Sequence, residues 1–294
     1  MKIVSNNFLD VAVGNFKEAE TVVVSFGFET TTTYGSGTKK GPAAIIEASQ
    51  HIEFFDEELW QESYKKTRIA TLEAVKVPNK TELIEKNLSP VISEILCFKK
   101  LPIILGGEHS ITPFIVEAYK NAGYRDFSIL QFDAHADLRD GYLGKKYSHA
   151  AAMRRCLDLP GINLVQIGIR SISNENDELN FWEKNQTRIK TFWAKDKNNW
   201  QIDEIIKYLG NKVYLSFDVD VFDSGIMPAT GTPEPGGLNW YEVLDILRAV
   251  CAKKKIIGAD FVELAPIKNF HAPDFMVAKL IYKTIGYIFK NSPC

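Results

Sequence analysis

Six short runs along the chain are apolar on both faces instead of alternating with polar residues: TVVVSFG (21–27), LPIILGG (101–107), FSILQFD (127–133), NLVQIGI (163–169), KVYLSFD (212–218) and KIIGADF (255–261). Runs of this length, rich in β-branched and aromatic residues, predict strands buried inside a sheet. Between them the periodicity changes. Residues 111–123 put Phe114, Ile115, Ala118 and Tyr119 on one helical face and end at Gly123, a residue suited to a helix C-terminus. Residues 238–255 predict a second helix, with Asn239 as N-cap, Glu242 three residues on, and closing lysines that complement the helix dipole. Strand and helix alternate from about residue 100 onward, which predicts an α/β fold with a parallel sheet covered by helices on both faces. No Pro/Gly/Ser-rich linker or repeat divides the chain, so residues 1–294 are expected to form a single domain. The charged stretch 174–190 reads as a solvated excursion.

Composition narrows the class. With 294 residues, 45% hydrophobic and 24% charged, the chain has the balance of a globular enzyme with a sizeable core. No stretch approaches the roughly 18 uninterrupted apolar residues of a membrane span. A formal charge of -2 and a pI near 6.3 provide no basic field for a phosphate backbone, which argues against nucleic acid as a partner. Cys97, Cys156, Cys251 and Cys294 lie far apart, without the paired spacing of a zinc or redox site, and read as thiols. The opening MKIVSNNFLD lacks the apolar core of a secretion signal, so a cytoplasmic location is expected.

Three of the predicted strands end in metal-ligand chemistry. FSILQFD runs into Asp133-Ala134-His135-Ala136-Asp137, and KVYLSFD into Asp218-Val219-Asp220. In extended chain, alternate side chains share a face, so each segment can aim its ligands at one point. LPIIL ends in Gly106-Gly107-Glu108-His109, where the glycines are expected to let the backbone turn and bring the imidazole close. Carboxyl ends of parallel strands are where open α/β sheets place their ligand crevices. Four carboxylates gathered there would repel one another unless cations compensated them, and two divalent ions would cancel their charge. Oxygen-rich ligation with two imidazoles and no thiolate suits harder ions such as Mn²⁺, and is compatible with zinc, iron, cobalt or nickel. Paired ions of this kind activate water, so hydrolysis is the reaction class; the ligands leave open an ester, amide, amidine or phosphate. His51 and His271 have no such neighbours, and Asp223 alone reads as a turn residue or cap.

The motifs Gly-Gly-Glu-His-Ser (106–110), Asp-Ala-His-Ala-Asp (133–137) and Ser-Phe-Asp-Val-Asp (216–220) resemble the three metal motifs of the ureohydrolase (arginase/agmatinase) family. Gly41-Pro42-Ala43-Ala44-Ile45 resembles its early Gly-Pro segment, and Pro228-Ala229-Thr230-Gly231-Thr232-Pro233 with Gly236-Gly237-Leu238 resembles its substrate loop. The resemblance runs from about residue 25 to 270. It implies a three-layer α/β/α fold, a trimeric or hexameric assembly, and two Mn²⁺ ions bridged by hydroxide. Carried over residue by residue, it implies one ion on His109, Asp133, Asp137 and Asp218 and the other on Asp133, His135, Asp218 and Asp220, with Asp133 and Asp218 bridging. His149 matches the family's proton-shuttling histidine, with a titration range suited to protonating a leaving amine. Glu263 and Thr232 would hold the guanidinium nitrogens of the substrate. A carboxylate is the natural partner of such a planar cation, because it accepts two parallel hydrogen bonds.

The expected reaction is release of urea from agmatine, leaving putrescine. Arginases resemble one another in an Asn- and Ser-bearing loop after the second motif that receives the α-carboxylate. Here that loop reads Leu138-Arg139-Asp140-Gly141-Tyr142-Leu143-Gly144-Lys145-Lys146-Tyr147-Ser148, and the match is lost. The run 147–155 and Glu29-Thr30-Thr31-Thr32 resemble agmatinases instead. Other guanidino substrates remain open: aminopropylagmatine, guanidinobutyrate, arginine or guanidine, with Lys145, Lys146 or Arg154 available for an acidic tail. A formimino or amide hydrolase, or a metal-binding homologue without turnover, is the remaining alternative, and intact His149, Glu263 and six ligands argue against the last. The family commonly has Asp-Pro where this chain has Asp223-Ser224, and many members have aspartate where it has Glu108.

Overall fold

The computed structural model describes residues 1–11 and 15–290, so Cys294 lies outside the described residues. The strands are β1 (Thr21–Phe26), β2 (Phe55–Asp56), β3 (Gln61–Glu62), β4 (Ile69–Thr71), β5 (Leu101–Gly106), β6 (Phe127–Phe132), β7 (Ile162–Ile169), β8 (Ile189–Trp193), β9 (Lys212–Asp218) and β10 (Lys255–Val262). The helices are α1 (Gly41–Ser49), α2 (Ile84–Cys97), α3 (Thr112–Asn121), α4 (Ala152–Leu157), α5 (Glu178–Lys184), α6 (Ile202–Tyr208), α7 (Trp240–Lys253) and α8 (Ala272–Phe289). Eight strands form one sheet in the order β4-β1-β5-β10-β9-β6-β7-β8, and every pairing in it is parallel. The pair β2-β3 is a separate antiparallel hairpin.

Because side chains of a strand point alternately to its two faces, each central strand feeds two cores. Val23, Leu130 and Leu215 join one core with α1, α6, α7 and α8. Val22, Ile129 and Tyr214 join the other with α2, α3 and α4. This is the three-layer α/β/α arrangement, and all six expected strands are present in it. Asn239 caps α7 with the reciprocal bonds of a capping box, its side chain accepting from Glu242 N–H while the Glu242 carboxylate accepts from Asn239 N–H. The helix stops at Lys253, short of the expected 255, because Lys255 already pairs with Lys212 in the sheet. Gly123 follows α3 with φ of 90°, a conformation that favours glycine.

Candidate active site

Chain order and spatial order differ in the middle of the sheet, where β5, β10, β9 and β6 are consecutive neighbours. Their carboxyl ends deliver His109, Glu263, the pair Asp218 and Asp220, and the trio Asp133, His135 and Asp137. The backbone bends at Gly107 and Glu108, directly after β5, and neither Gly106 nor Gly107 needs a positive φ to do so. They also allow close approach: a Cβ on Gly107 would lie 2.0 Å from the carbonyl oxygen of Phe28, and one on Gly106 would meet Ile111 at 2.6 Å and Val262 at 2.7 Å. The two carboxylate motifs also differ from simple strand alternation. β6 ends at Phe132, ahead of its ligands, and Asp137 adopts φ of 54°. Asp220 sits in a tight 3₁₀ turn, Val219–Val221, where its N–H is accepted by the Asp218 carboxylate at 2.9 Å. Convergence is made by turns just beyond the strands.

The six expected ligands are gathered. His109 Nδ1 lies 3.1 Å from Asp133, 3.1 Å from Asp137 and 3.4 Å from Asp218. His135 Nδ1 lies 2.9 Å from Asp220 and 3.7 Å from Asp133. Two groups of ligand atoms have their members within 4.8 Å of one another, His109/Asp133/Asp137 and Asp133/His135/Asp220, and Asp133 belongs to both. The outer atoms are oriented by the protein. Gln131 donates to Asp133 at 2.7 Å, while Ala134 N–H donates to Asp220 at 2.9 Å. Gln131 is in turn held by Gln166, which Thr191 and then Trp182 back up from β8 and α5.

Electrostatics supports a cationic occupant. Burial and the Asp133 charge push the Asp137 carboxyl up to about 7, and burial with Asp220 and Asp133 pushes Asp218 well above the ordinary range. Burial disfavours charge on His109 and His135 as well, yet the surrounding carboxylates outweigh it and hold both imidazoles well above their usual value. The cluster thus retains protons where cations would otherwise stand. His109 Nδ1 is buried without a hydrogen-bond partner, aimed into the carboxylates. An orphaned imidazole nitrogen amid oxygen donors fits a divalent metal at each group.

Above the ligands lies a cavity of about 170 Å³ lined by His109, His135, Asp137, Asp218 and Asp220 together with His149, Thr232 and Glu263. Glu263 turns in at the end of β10 with φ of 66°, and its Oε1 accepts the His109 N–H at 2.7 Å. Burial and neighbouring Glu108 hold its carboxyl well above the usual range. His149 stands between Thr31 and Thr33. Burial, then the positive His135 and His109, lower its imidazole to about 4, so the ring rests neutral rather than titrating near neutrality as expected. Ions at the ligands would act in the same direction.

A sequence model of the arginase family matches residues 19–286. The N(1)-aminopropylagmatine ureohydrolase of Synechocystis sp. is 39% identical over 94% of this chain and 91% of its own length. The chain belongs to the arginase family. The agmatinase of Pyrococcus horikoshii is 32% identical, covering 95% of each chain. The crystal structure of the agmatine ureohydrolase of Thermoplasma volcanium superposes with a TM-score of 0.85 at 31% identity, over 99% of this chain and 95% of that one. These relatives identify the chain as a metal-dependent hydrolase of guanidino groups.

Several residues of this arginase-family site gave no signal in the sequence. Glu178 lies in the stretch expected to be solvated, but it is buried and lines the cavity. Its carboxylate accepts Leu138 N–H at 2.8 Å and Ser173 N–H at 2.7 Å, with Arg139 at 3.6 Å. Arg170 donates to six backbone carbonyls, among them Asp220, Phe222, Glu234 and Pro235. It ties the loop at Glu234 and Pro235 to the turn that carries Asp220. The basic residues that could in principle have served an acidic tail have other partners: Lys145 bonds the Thr30 carbonyl at 2.7 Å, and Lys146 stands over the Tyr147 ring at 5.8 Å. Arg154 pairs with Asp177 at 3.4 Å while stacking on Phe181. Asp223 is a turn residue, as expected, and its carboxylate accepts N–H groups from Gly225, Gly236 and Gly237.

Proposed function

We propose that the protein releases urea from a linear guanidino amine that carries no carboxylate, namely agmatine or its N1-aminopropyl derivative. The observation that supports this reading is a cavity with anionic walls around the ligand cluster and no unpaired cation among its described lining residues. Its lining arginine, Arg139, is paired with Glu178 and lies over Tyr142. A carboxylate tail would find no partner, whereas an amine tail meets none of the repulsion it would face beside a free lysine.

The chain's own residues would divide the work. Glu263 donates nothing and keeps Oε2 free of protein donors among the described residues, so it can accept from a guanidinium while Oε1 stays on His109 N–H. Gly231 and Thr232 close the same wall. His109, Asp133, Asp137 and Asp218 would hold one ion, and Asp133, His135, Asp218 and Asp220 the other, with Mn²⁺ the best match to the donor set. When bound, the ion pair supplies Lewis acidity that activates water for attack on the guanidinium carbon. His149 carries the proton needed by the departing amine.

A second reading concerns the tail. The 39% identity to an N(1)-aminopropylagmatine ureohydrolase exceeds the 32% to an agmatinase, which favours the longer amine as the better substrate. Urea release by the Mn²⁺-loaded protein, measured across agmatine, N1-aminopropylagmatine, arginine, guanidinobutyrate and guanidine, tests both. Faster turnover of either carboxylate-bearing compound would overturn the main reading. Agmatine outperforming its aminopropyl derivative in kcat/KM would overturn the second.

A further inference from the structure

The ring of His149 is held from both sides by hydroxyls, and the bonds around it determine which nitrogen carries the proton. Thr31 Oγ1 donates to Glu108 Oε1 at 2.8 Å, accepts the backbone N–H of His149 at 3.1 Å, and lies 3.0 Å from His149 Nδ1. A hydroxyl has one proton to give, and a carboxylate can only accept. With the Thr31 proton committed to Glu108, the third contact requires Nδ1 to be the donor. Nε2 is then the lone-pair nitrogen. It lies 2.8 Å from Thr33 Oγ1, which therefore donates to it. Thr33 is exposed and lines the cavity, so its hydroxyl faces water on one side and the imidazole on the other.

The far end of this chain of bonds is rigid. Glu108 is fully buried, and its two oxygens accept from Thr30 N–H at 2.7 Å, Thr31 N–H at 2.6 Å, Thr31 Oγ1 and Ser110 Oγ at 2.5 Å. Four donors leave the carboxylate no freedom to release the Thr31 hydroxyl.

We propose that Glu108 and Thr31 are positioning residues that lock His149 in the Nδ1–H tautomer, and that Thr33 is the hydroxyl through which His149 Nε2 exchanges its proton with solvent. This rests on His149 being the proton carrier of the proposed reaction. In one exchange Thr33 Oγ1 passes its proton to Nε2 while taking one from a hydronium ion on its exposed side. As the C–N bond breaks, its electron pair stays on the amine nitrogen, which takes the proton of Thr33 Oγ1 as that oxygen takes the one on Nε2. The hydroxyl and the neutral ring are then both restored. Burial and the cationic surroundings that hold the ring at about 4 make this resupply necessary in every cycle, because the resting imidazole has no spare proton. The charged and titratable groups facing it are Glu108 and His109 beyond β5, and Asp133, His135, Arg139 and Tyr142 beyond β6.

The test uses the full, metal-loaded chain with Thr31→Val, Thr31→Ser, Thr33→Val, Thr33→Ser and His149→Asn. Thr31→Val and Thr33→Val should each lower kcat by about tenfold or more with KM nearly unchanged and metal content intact. Each serine variant should restore it, and an added small buffer acid should rescue Thr33→Val but not Thr31→Val. Full kcat in both valine variants beside a crippled His149→Asn would overturn the relay and leave the proton-carrier reading standing; full kcat in His149→Asn would overturn that reading itself. Loss of metal, or a kcat defect that serine fails to repair, would show a merely structural role and overturn the proposal. The ¹⁵N shifts of the ring nitrogens give a measurement that needs no variant to fold. Protonated Nδ1 is expected for His149, and protonated Nε2 would overturn the tautomer assignment.

Discussion

Ser216 Oγ stands 2.9 Å from His109 Nε2 and gives its own proton to Asp260 at 2.8 Å. The serine must therefore accept from Nε2–H, which leaves the Nδ1 lone pair for the carboxylate-lined site. Tyr214 and Thr112 donate to the same buried Asp260, so the orientation is set from two strands and a helix. Partners behind a metal-binding histidine typically govern affinity by 10–100-fold. Ser216→Ala is expected to weaken metal binding by about that factor, read by titrating Mn²⁺ into stripped protein; an unchanged affinity would show that the tautomer is fixed by other means.

Asp133 is shared by both ligand groups. Asp133→Ala should reduce bound metal from two ions to one or fewer per chain, counted by elemental analysis. Two retained ions would contradict a shared carboxylate.

Arg170 satisfies six carbonyls with one guanidinium. Lysine offers three donors from a single point and cannot span them. Arg170→Lys should cost roughly 1 kcal/mol of stability, because several part-buried carbonyls lose a donor that water replaces only in part. KM should rise because the loop carrying Thr232 loosens. Denaturation midpoints and KM matching the wild type would mean that Asp223 alone secures the loop.

The low value of His149, about 4 against an ordinary 6.5, has a definite consequence for stability. Between those pH values the unfolded chain binds a proton that the native ring refuses, so this residue makes stability fall as pH drops from about 6.5 towards 4. His149→Gln removes the effect. The stability difference between pH 7 and pH 5 should be smaller in the variant than in the wild type, and an equal difference would mean that the ring titrates normally.

The buried strands were legible because parallel strands covered on both faces are apolar on both faces, a property of single residues. β4 was missed because three residues at a sheet edge make no run, and β8 because its half-buried polar residues Lys190 and Thr191 interrupt one. The convergence of the six candidate ligands and Glu263 was legible, because they stand in motifs at strand ends. Glu178 was misread for a physical reason. What buries it is two N–H groups from Leu138 and Ser173, and no period or composition within 174–190 encodes that contact. Arg170 was silent in the same way, since its partners are carbonyls, which every residue possesses. The low titration of His149 likewise comes from neighbours distant in sequence.

The four strands that carry the ligands and Glu263 come from residues 101 to 262 and interleave in space, β10 lying between β5 and β9. No contiguous fragment can therefore assemble the centre, and a chain growing from its N-terminus would hold all six ligands before the strand that separates two of them is made. Metal occupancy becomes a report on completed topology. Ions that bind only the finished sheet would stabilise the whole of it by mass action, so chelation should loosen strands far from the ligands as much as those beside them.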